Sequence, residues 1–308
     1  MRCAVIGGAG FIGSNLCRHL LALGHHVRVL DRAGAKPAVD GCDVAADDWV
    51  SGSFTSADDL ARVMQGCEVV FHLASTSLPH TSNDDPLGDM ESNIGGALRL
   101  MALARELGVR RVVFASSGGT VYGQPVAIPI HEGHPTEPMC AYGISKLAIE
   151  KYLALYQELH GLDYAVLRIA NPYGPGQSPF SKQGAIAVFL HKALTGETIE
   201  VWGDGSVIRD YLHVSDVCAA FARAADHDGP HRVFNVGSGR GYSINEIIET
   251  IERVVGRRVA HRYLPGRRFD VPSNVLCIER ARAELGWCPD IGLESGLRET
   301  VSWQSRFL

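Results

Sequence analysis

Two short motifs in this chain of 308 residues combine residue types that can do chemistry. The first is Gly7-Gly8-Ala9-Gly10-Phe11-Ile12-Gly13, which satisfies G-x-G-x-x-G through Gly8, Gly10 and Gly13 and also spaces Gly7, Gly10 and Gly13 three apart. Glycines so placed between an apolar run and an apolar helix allow a tight turn and close backbone approach to a pyrophosphate at the helix N-terminus. Asp31 ends the second apolar run, about 20 residues on, where a carboxylate accepts hydrogen bonds from a ribose and repels a 2′-phosphate. That acid favours NAD over NADP, and Arg32 directly after it argues the other way.

The second motif is Tyr142-Gly143-Ile144-Ser145-Lys146. Tyr142 and Lys146 are four apart, so on a helix they share one face and can meet a common ligand. A free phenol, with a pKa of about 10, is a poor base at neutral pH. A neighbouring ammonium and a positive nicotinamide both favour the phenolate and would draw it toward a useful range. Upstream, Val112–Gly123 reads as a strand running into small hydroxyl residues and glycines. Hydroxyls at the C-terminal end of a parallel strand lie where such sheets bind ligands, so Ser117 or Thr120 can donate to a reacting oxygen. Each motif alone has an ordinary reading as a tight turn, a helix surface or a satisfied loop; their order in one α/β pattern is what points to redox chemistry at a hydroxyl or carbonyl.

Strands predicted at Cys3–Ile6, Val27–Leu30, Val69–Leu73, Val112–Ala115 and Ala165–Ile169 alternate with helices at Ile12–Leu23, Glu91–Leu107 and Tyr142–Leu159. A further short strand is placed near Trp49. This alternation predicts a Rossmann-type, doubly wound parallel α/β sheet. Beyond Asn171, prolines and glycines mark a long loop, followed by a helix (Ala185–Leu194), a strand (Ile199–Trp202), a helix from Val214 and an apolar run, Val233–Val236. Ser243 and Glu246 have capping-box spacing before another helix. The expected organisation is a dinucleotide domain of residues 1–173 plus about 205–238, and a smaller, discontinuous C-terminal α/β substrate domain of about 174–204 plus 239–308.

The composition, 46% hydrophobic and 20% charged, is that of an ordinary globular protein. A net charge of −5 with no basic run argues against nucleic acid as a partner. The run Ala4–Ile6 is too short for a signal-peptide core or a membrane span, so a cytoplasmic protein with no membrane association is expected. Eight dispersed cysteines without a C-x-x-C pair read as small buried hydrophobes. Cys140 reads as a packing residue near Tyr142. His131-Glu132-Gly133-His134 is not H-E-x-x-H and sits among prolines, so no metal site is expected.

Taken together, these motifs make the chain resemble the extended short-chain dehydrogenases/reductases, in the nucleotide-sugar epimerase/dehydratase group and nearest in pattern to UDP-glucose (UDP-galactose) 4-epimerase-like enzymes. Further segments that carry the resemblance are Phe71-His72-Leu73-Ala74, Asn93, Leu167–Pro175, Gly203–Tyr211 and Gly266–Pro272. The resemblance implies that Tyr142 is the catalytic acid/base, that Lys146 holds the nicotinamide ribose and tunes Tyr142, and that Ser117 or Thr120 polarises the sugar hydroxyl. It implies cofactor contacts from Gly7, Gly10, Phe11, Ile12, Gly13, Asp31, Arg32, Leu73, Ala74, Ser75, Asn93, Ser116, Tyr142, Lys146 and Ile169. Substrate contacts are implied for Ser117, Thr120, Tyr142, Asn171, Val201, Arg209, Arg267, Asp270 and Asn274, the arginines suiting a diphosphate. Asn274 is expected to tune the sugar pocket by its size. A homodimer joined through Glu91–Leu107 and Tyr142–Leu159 is also implied.

Related dehydratases carry an acid just after the loop hydroxyl, and here Gly118 and Gly119 stand in that place. The resemblance therefore implies NAD-dependent epimerisation of a UDP-hexose or UDP-N-acetylhexosamine at C4 through a transient 4-keto sugar. A dehydratase or ketosugar reductase of the same group is the second enzyme reading. A non-catalytic dinucleotide-sensing regulator is the alternative of another class, and the intact Tyr142/Lys146 pair argues against it.

Overall fold

The computed structural model describes residues 1–181, 184–266 and 271–308. The first part of the chain runs β1 (Arg2–Ile6), α1 (Phe11–Ala22), β2 (His26–Asp31), β3 (Trp49–Ser51), α2 (Ala57–Met64), β4 (Val69–His72), α3 (Pro86–Asp89), a π-helical turn (Met90–Ile94), α4 (Gly95–Glu106), β5 (Arg111–Ser117), α5 (Ala141–His160) and β6 (Asp163–Ile169). It continues through β7 (Asn171–Tyr173), α6 (Ala185–Thr195), β8 (Ile199–Trp202), β9 (Ile208–His213), α7 (Val214–Ala225) and β10 (Val233–Val236). It ends with β11 (Gly241–Ser243), α8 (Ile244–Val255), β12 (His261–Leu264), β13 (Ser273–Asn274), α9 (Glu279–Leu285) and α10 (Leu293–Gln304).

Seven strands form one parallel sheet in the order β10-β6-β5-β4-β1-β2-β3. The order reverses between β1 and β4, and ligands of open α/β sheets bind outside the strand ends at such a switch point. Both faces are covered, so the strands are apolar on both sides. Cys3, Val5, Phe71, Val113 and Leu167 pack in one core with Leu16 and Leu20 of α1 and Val217 and Phe221 of α7. Ala4, Ile6, Val70, Val112 and Val166, one residue out of phase, pack in the other with residues of α2, α4 and α5. The chain returns to the large sheet through α7 and β10.

The smaller lobe has its own core, in which Phe189 and Leu190 of α6, Val201 of β8, Ile247 and Ile251 of α8 and Leu297 of α10 meet. α8 begins with the expected capping box, Ser243 and Glu246 each bonding the other's backbone. Beneath it, β9 is central to a small sheet, flanked by β11 and β13 and also paired with β7.

Two expectations about the elements are corrected, and one element is new. The helix expected over Glu91–Leu107 opens in the π turn and becomes α-helical only from Gly95, as α4. Ile208–His213, expected to travel with the large sheet, pairs in the small one, because short, partly polar strands carry no mark of which sheet they join. α2, which was not anticipated, fills the crossover between β3 and β4, opened by a Ser56 side chain that accepts from Asp59 N–H. All eight cysteines are free thiols, and Cys3, Cys17, Cys42, Cys67 and Cys218 are buried. Among the described residues, no helix is long and apolar enough to cross a membrane.

α5 is locked to the sheet by charge as well as by apolar packing. Glu150 of α5 and Arg168 of β6 are both about 4% exposed and form a two-pronged pair, with Nη2 to Oε2 at 2.6 Å and Nε to Oε1 at 3.1 Å. Ser116 at the end of β5 donates its hydroxyl to the same carboxylate, and the guanidinium lies over the Tyr122 ring, 4.9 Å from its centroid. Arg168→Met leaves Glu150 buried without its cation, which should cost about 3–5 kcal/mol in urea-induced unfolding. Replacing both members with apolar residues of similar size should cost less than that single change.

Candidate active site

The glycine turn closes at the C-terminal end of β1. Gly7 has φ +90°, and a Cβ there would meet Ala74 N at 3.0 Å. A Cβ on Gly13 would lie 2.0 Å from Gly7 O, so α1 can start this close to the strand only without a side chain. No side-chain cap covers the start of α1 at Gly10, so its first N–H groups remain available to an anion. Asp31 ties the turn to β2: one carboxylate oxygen accepts from Ala9 N–H at 2.8 Å and the other from Arg32 N–H at 2.8 Å.

Three adjoining cavities run along the strand ends. The first, about 580 Å³, is lined by Gly7, Gly10, Asp31, Arg32, Leu73, Ala74 and Ser75, with Ser53 and Phe54 on its far wall. The second, about 480 Å³, shares Gly7, Gly10, Leu73 and Ser75 with it and adds Phe11, Ile12, Gly13, Ser116, Ser117, Thr120, Tyr142, Lys146 and Ile169. The third, about 460 Å³, shares Asn171, Pro172, Gln177 and Gly184 with the second and is lined further by Val201, Arg209, Phe189, Lys192, Trp202 and Tyr211. The uncapped turn, the tight glycines and Asp31 fit a dinucleotide in the first two.

In the second cavity, Lys146 is buried and its Nζ donates to the Ala115 carbonyl at 2.8 Å. The ammonium lies 4.7 Å from the Phe114 ring centroid and 5.4 Å from that of Tyr142. Burial pulls Lys146 down to about 8, opposed by the carboxylates of Asp89 and Glu150. The expectation for Tyr142 named two charges, the ammonium and a positive nicotinamide; beside the ammonium alone, burial pushes the phenol well above its ordinary value, and Cys140 and Asp89 push it further. One ammonium proton goes to the Ala115 carbonyl, and Tyr142, half-buried as a whole, lines the cavity beside it. A lower phenol pKa thus requires further positive charge in the cavity, which an oxidised nicotinamide ring would supply.

Ser117 and Thr120 both line this cavity. The Thr120 Oγ1 is buried away from solvent and has no hydrogen-bond partner, so Thr120 faces the cavity through its other atoms. Ser117 stands at the open end of β5, opposite Ile169 of β6.

The remaining expected residues divide. Asn171 donates to Asp210 O at 2.9 Å, and Arg209 donates to Ile208 O at 2.9 Å and Val271 O at 2.7 Å, which hold both at the edge of the third cavity. Asn93 is not a lining residue: its side chain bonds Thr76 N–H, Ser75, Ser77 and Asp89 behind the cofactor wall. Asn274 likewise lies behind the hydroxyl loop, its Nδ2 donating to Gly118 O at 3.2 Å. Arg267 and Asp270 lie outside the described residues. Gln177 lines the second and third cavities and was not anticipated, nor were Phe54, Trp202 and Tyr211; none belongs to a pattern of spacing. Among the described residues, no three His, Cys, Asp or Glu side chains are placed to hold a metal ion.

The chain is 40% identical over 309 residues to the UDP-glucose 4-epimerase of Mycolicibacterium smegmatis, covering 98% of each. Among solved structures it resembles UDP-glucose 4-epimerase from Thermotoga maritima with UDP-glucose, with TM-score 0.91, 34% identity and coverage of 100% of this chain and 99% of that one. It also resembles the Thermus thermophilus UDP-glucose 4-epimerase complex with NAD, with TM-score 0.88, 32% identity and full coverage of both chains. A family model described as the NAD dependent epimerase/dehydratase family matches residues 3–237, a span that contains both the glycine turn and the Tyr142/Lys146 pair. By that match and by its relatives, the chain belongs to the NAD dependent epimerase/dehydratase family.

Proposed function

We propose that this chain inverts C4 of a UDP-hexose, using NAD. The observation that carries this reading is the run of three joined cavities, from Asp31 past Tyr142 and Lys146 to Val201 and Arg209, with glycine at both positions after Ser117. The 4-epimerase relatives support the same reaction and the UDP-hexose as substrate.

Bound NAD supplies the acceptor and later the donor of hydride. Gly7, Gly10 and Gly13 admit its pyrophosphate against α1, and Asp31 holds the adenosine ribose. Ser117 donates to the sugar C4 oxygen, since the Thr120 Oγ1 is turned away from solvent. Tyr142 removes the proton from that oxygen and returns it once the keto sugar has presented its other face. Lys146 keeps positive charge beside the phenolate and holds the nicotinamide ribose. Asn171 and Arg209 flank the diphosphate, with Arg267 and Asp270 proposed from the motif alone. Epimerisation takes a hydride and a proton from the sugar and returns both, expelling no group, so no separate acid is needed for a leaving group.

The exposed side chains Ile144, Tyr152, Leu155 and Leu159 lie along α5, which packs against α3 and the π turn bearing exposed Leu87 and Met90. An apolar stripe of this kind supports a homodimer formed through these helices. Sedimentation should give the mass of two chains, and Leu155→Glu should yield the monomer; a monomeric wild type would overturn this arrangement.

Purified protein given UDP-glucose or UDP-N-acetylglucosamine should form the C4 epimer, followed by proton NMR, without added cofactor. Net accumulation of a keto sugar, or consumption of added NADPH, would replace this reading with a dehydratase or reductase. Tyr142→Phe should lower kcat by about 10²–10⁴-fold while NAD still copurifies, as expected for loss of a general acid/base. Ser117→Ala should cost far more activity than Thr120→Val, and the reverse order would reassign the hydroxyl donor.

A further inference from the structure

Four charged side chains are buried at or behind the wall of the catalytic cavity: Lys146, which lines it, and Glu150 on α5, Arg168 on β6 and Asp89 at the end of α3. Glu150 is committed to Arg168 through both oxygens. Among the described residues Lys146 donates to a neutral carbonyl, Ala115 O, and Asp89, buried like it, acts on its ammonium through space without forming an ion pair with it. Asp89 does not line the cavity.

The carboxylate is nevertheless fully engaged. One oxygen accepts from the Ser77 hydroxyl and from Asn93 Nδ2 at 3.0 Å, and the other accepts from the Ser145 hydroxyl. Ser145 precedes Lys146 on α5. Asn93 accepts from Thr76 N–H at 3.0 Å and from the Ser75 hydroxyl at 3.3 Å, and Ser75 lines both the cofactor and the catalytic cavities. Asp89 directly precedes the π-helical turn and Asn93 lies within it, a feature common at functional sites. A single buried carboxylate therefore joins the catalytic helix to the wall of the cofactor cavity.

We propose that Asp89 is a positioning residue for the reaction: it clamps the part of α5 carrying Tyr142 and Lys146 to the Ser75–Ser77 wall and provides the counter-charge of Lys146. The proposal rests on the reading of Tyr142 as the proton carrier. The other ionisable groups packed near Lys146 leave this role open. His72 of β4, pushed down to about 3 by burial, is neutral; Cys140 at the start of α5 is a thiol raised by burial; Glu150 already serves Arg168.

The signs are opposite for a strut and for a charge. Asp89 raises both Lys146 and Tyr142. Removing its charge in Asp89→Asn should therefore drop Lys146 below about 8 and move the Tyr142 phenol down as well. The phenol is read by tyrosinate absorbance of the NAD-loaded protein, subtracting the matching Tyr142→Phe background. Asp89→Asn should shift this midpoint to lower pH and reduce kcat by about 10²-fold, the scale for a small misplacement, with KM for the sugar within about threefold. Ser145→Ala removes the strut but keeps the charge, so it should lower kcat with the midpoint unmoved. An Asp89→Asn protein with wild-type kcat and an unmoved midpoint would overturn the proposal, as would loss of kcat that follows only loss of bound NAD. If Asp89→Asn does not fold, Ser145→Ala with unchanged kcat overturns the clamp. Wild type that interconverts no sugar would overturn the proposed reaction instead, and the titration, which contains no sugar, would still decide the role of Asp89.

Discussion

Burying two opposite charges one turn apart on α5 constrains much of the rest of the molecule. Lys146 and Glu150 face inward, and each ion removed from water costs several kcal/mol unless the surroundings replace its hydration. The replacements come from three elements: Arg168 from β6, the Ser116 hydroxyl and Ala115 carbonyl from β5, and, through space, the Asp89 carboxylate from α3. The helix can therefore occupy only a register that satisfies all of them. That register sets Tyr142, one turn before Lys146, at the mouth of β5 beside Ser117. An apolar helix face would tolerate sliding or rotation; a charged one holds a reacting oxygen to a fixed place.

Parts of the structure defined by local physics were legible in the sequence. The glycine turn reads directly because backbone approach to another backbone forbids a Cβ, as Gly13 against Gly7 O demonstrates. The strands of the large sheet read as apolar runs because both faces are covered, and the Ser243/Glu246 cap reads because its bonds close over three residues. Asp31 and the Tyr142/Lys146 pair were found by spacing from such landmarks. What stayed hidden was decided by partners far along the chain. Asp89 looks like an ordinary acid in a polar loop until Ser145, 56 positions away, reaches it. β9 pairs with β7, β11 and β13, and nothing in Ile208–His213 alone chooses that sheet over the large one. Asn93 was found by motif but given the wrong neighbours, since the π turn aims it at the loop after β4 rather than into the cavity.

The electrostatics of the pair depend on both of the charges expected to act on the phenol. Beside the Lys146 ammonium alone, burial raises it. In the reaction proposed for this chain, an oxidised nicotinamide ring beside Tyr142 would add the positive charge that favours the phenolate. Depressed Lys146 serves the same arrangement, since its ammonium persists near neutrality only with carboxylates close by.

The two glycines after Ser117 limit the chemistry in different ways. A Cβ at 118 would lie 2.6 Å from Leu276 and 3.2 Å from the Arg168 carbonyl, while Asn274 fixes the loop by bonding Gly118 O. A side chain there would have to displace the buried Leu276. At 119 a Cβ would meet nothing nearer than the Ser117 hydroxyl at 3.8 Å, so an acid there is sterically admissible and is simply not present. Expelling water from a sugar needs one group to take a carbon-bound proton and another to protonate the departing hydroxyl. With glycine at both 118 and 119, this edge of the cavity offers one phenol that gives back the proton it takes. That arrangement suits a reaction whose oxidation is undone on the same carbon.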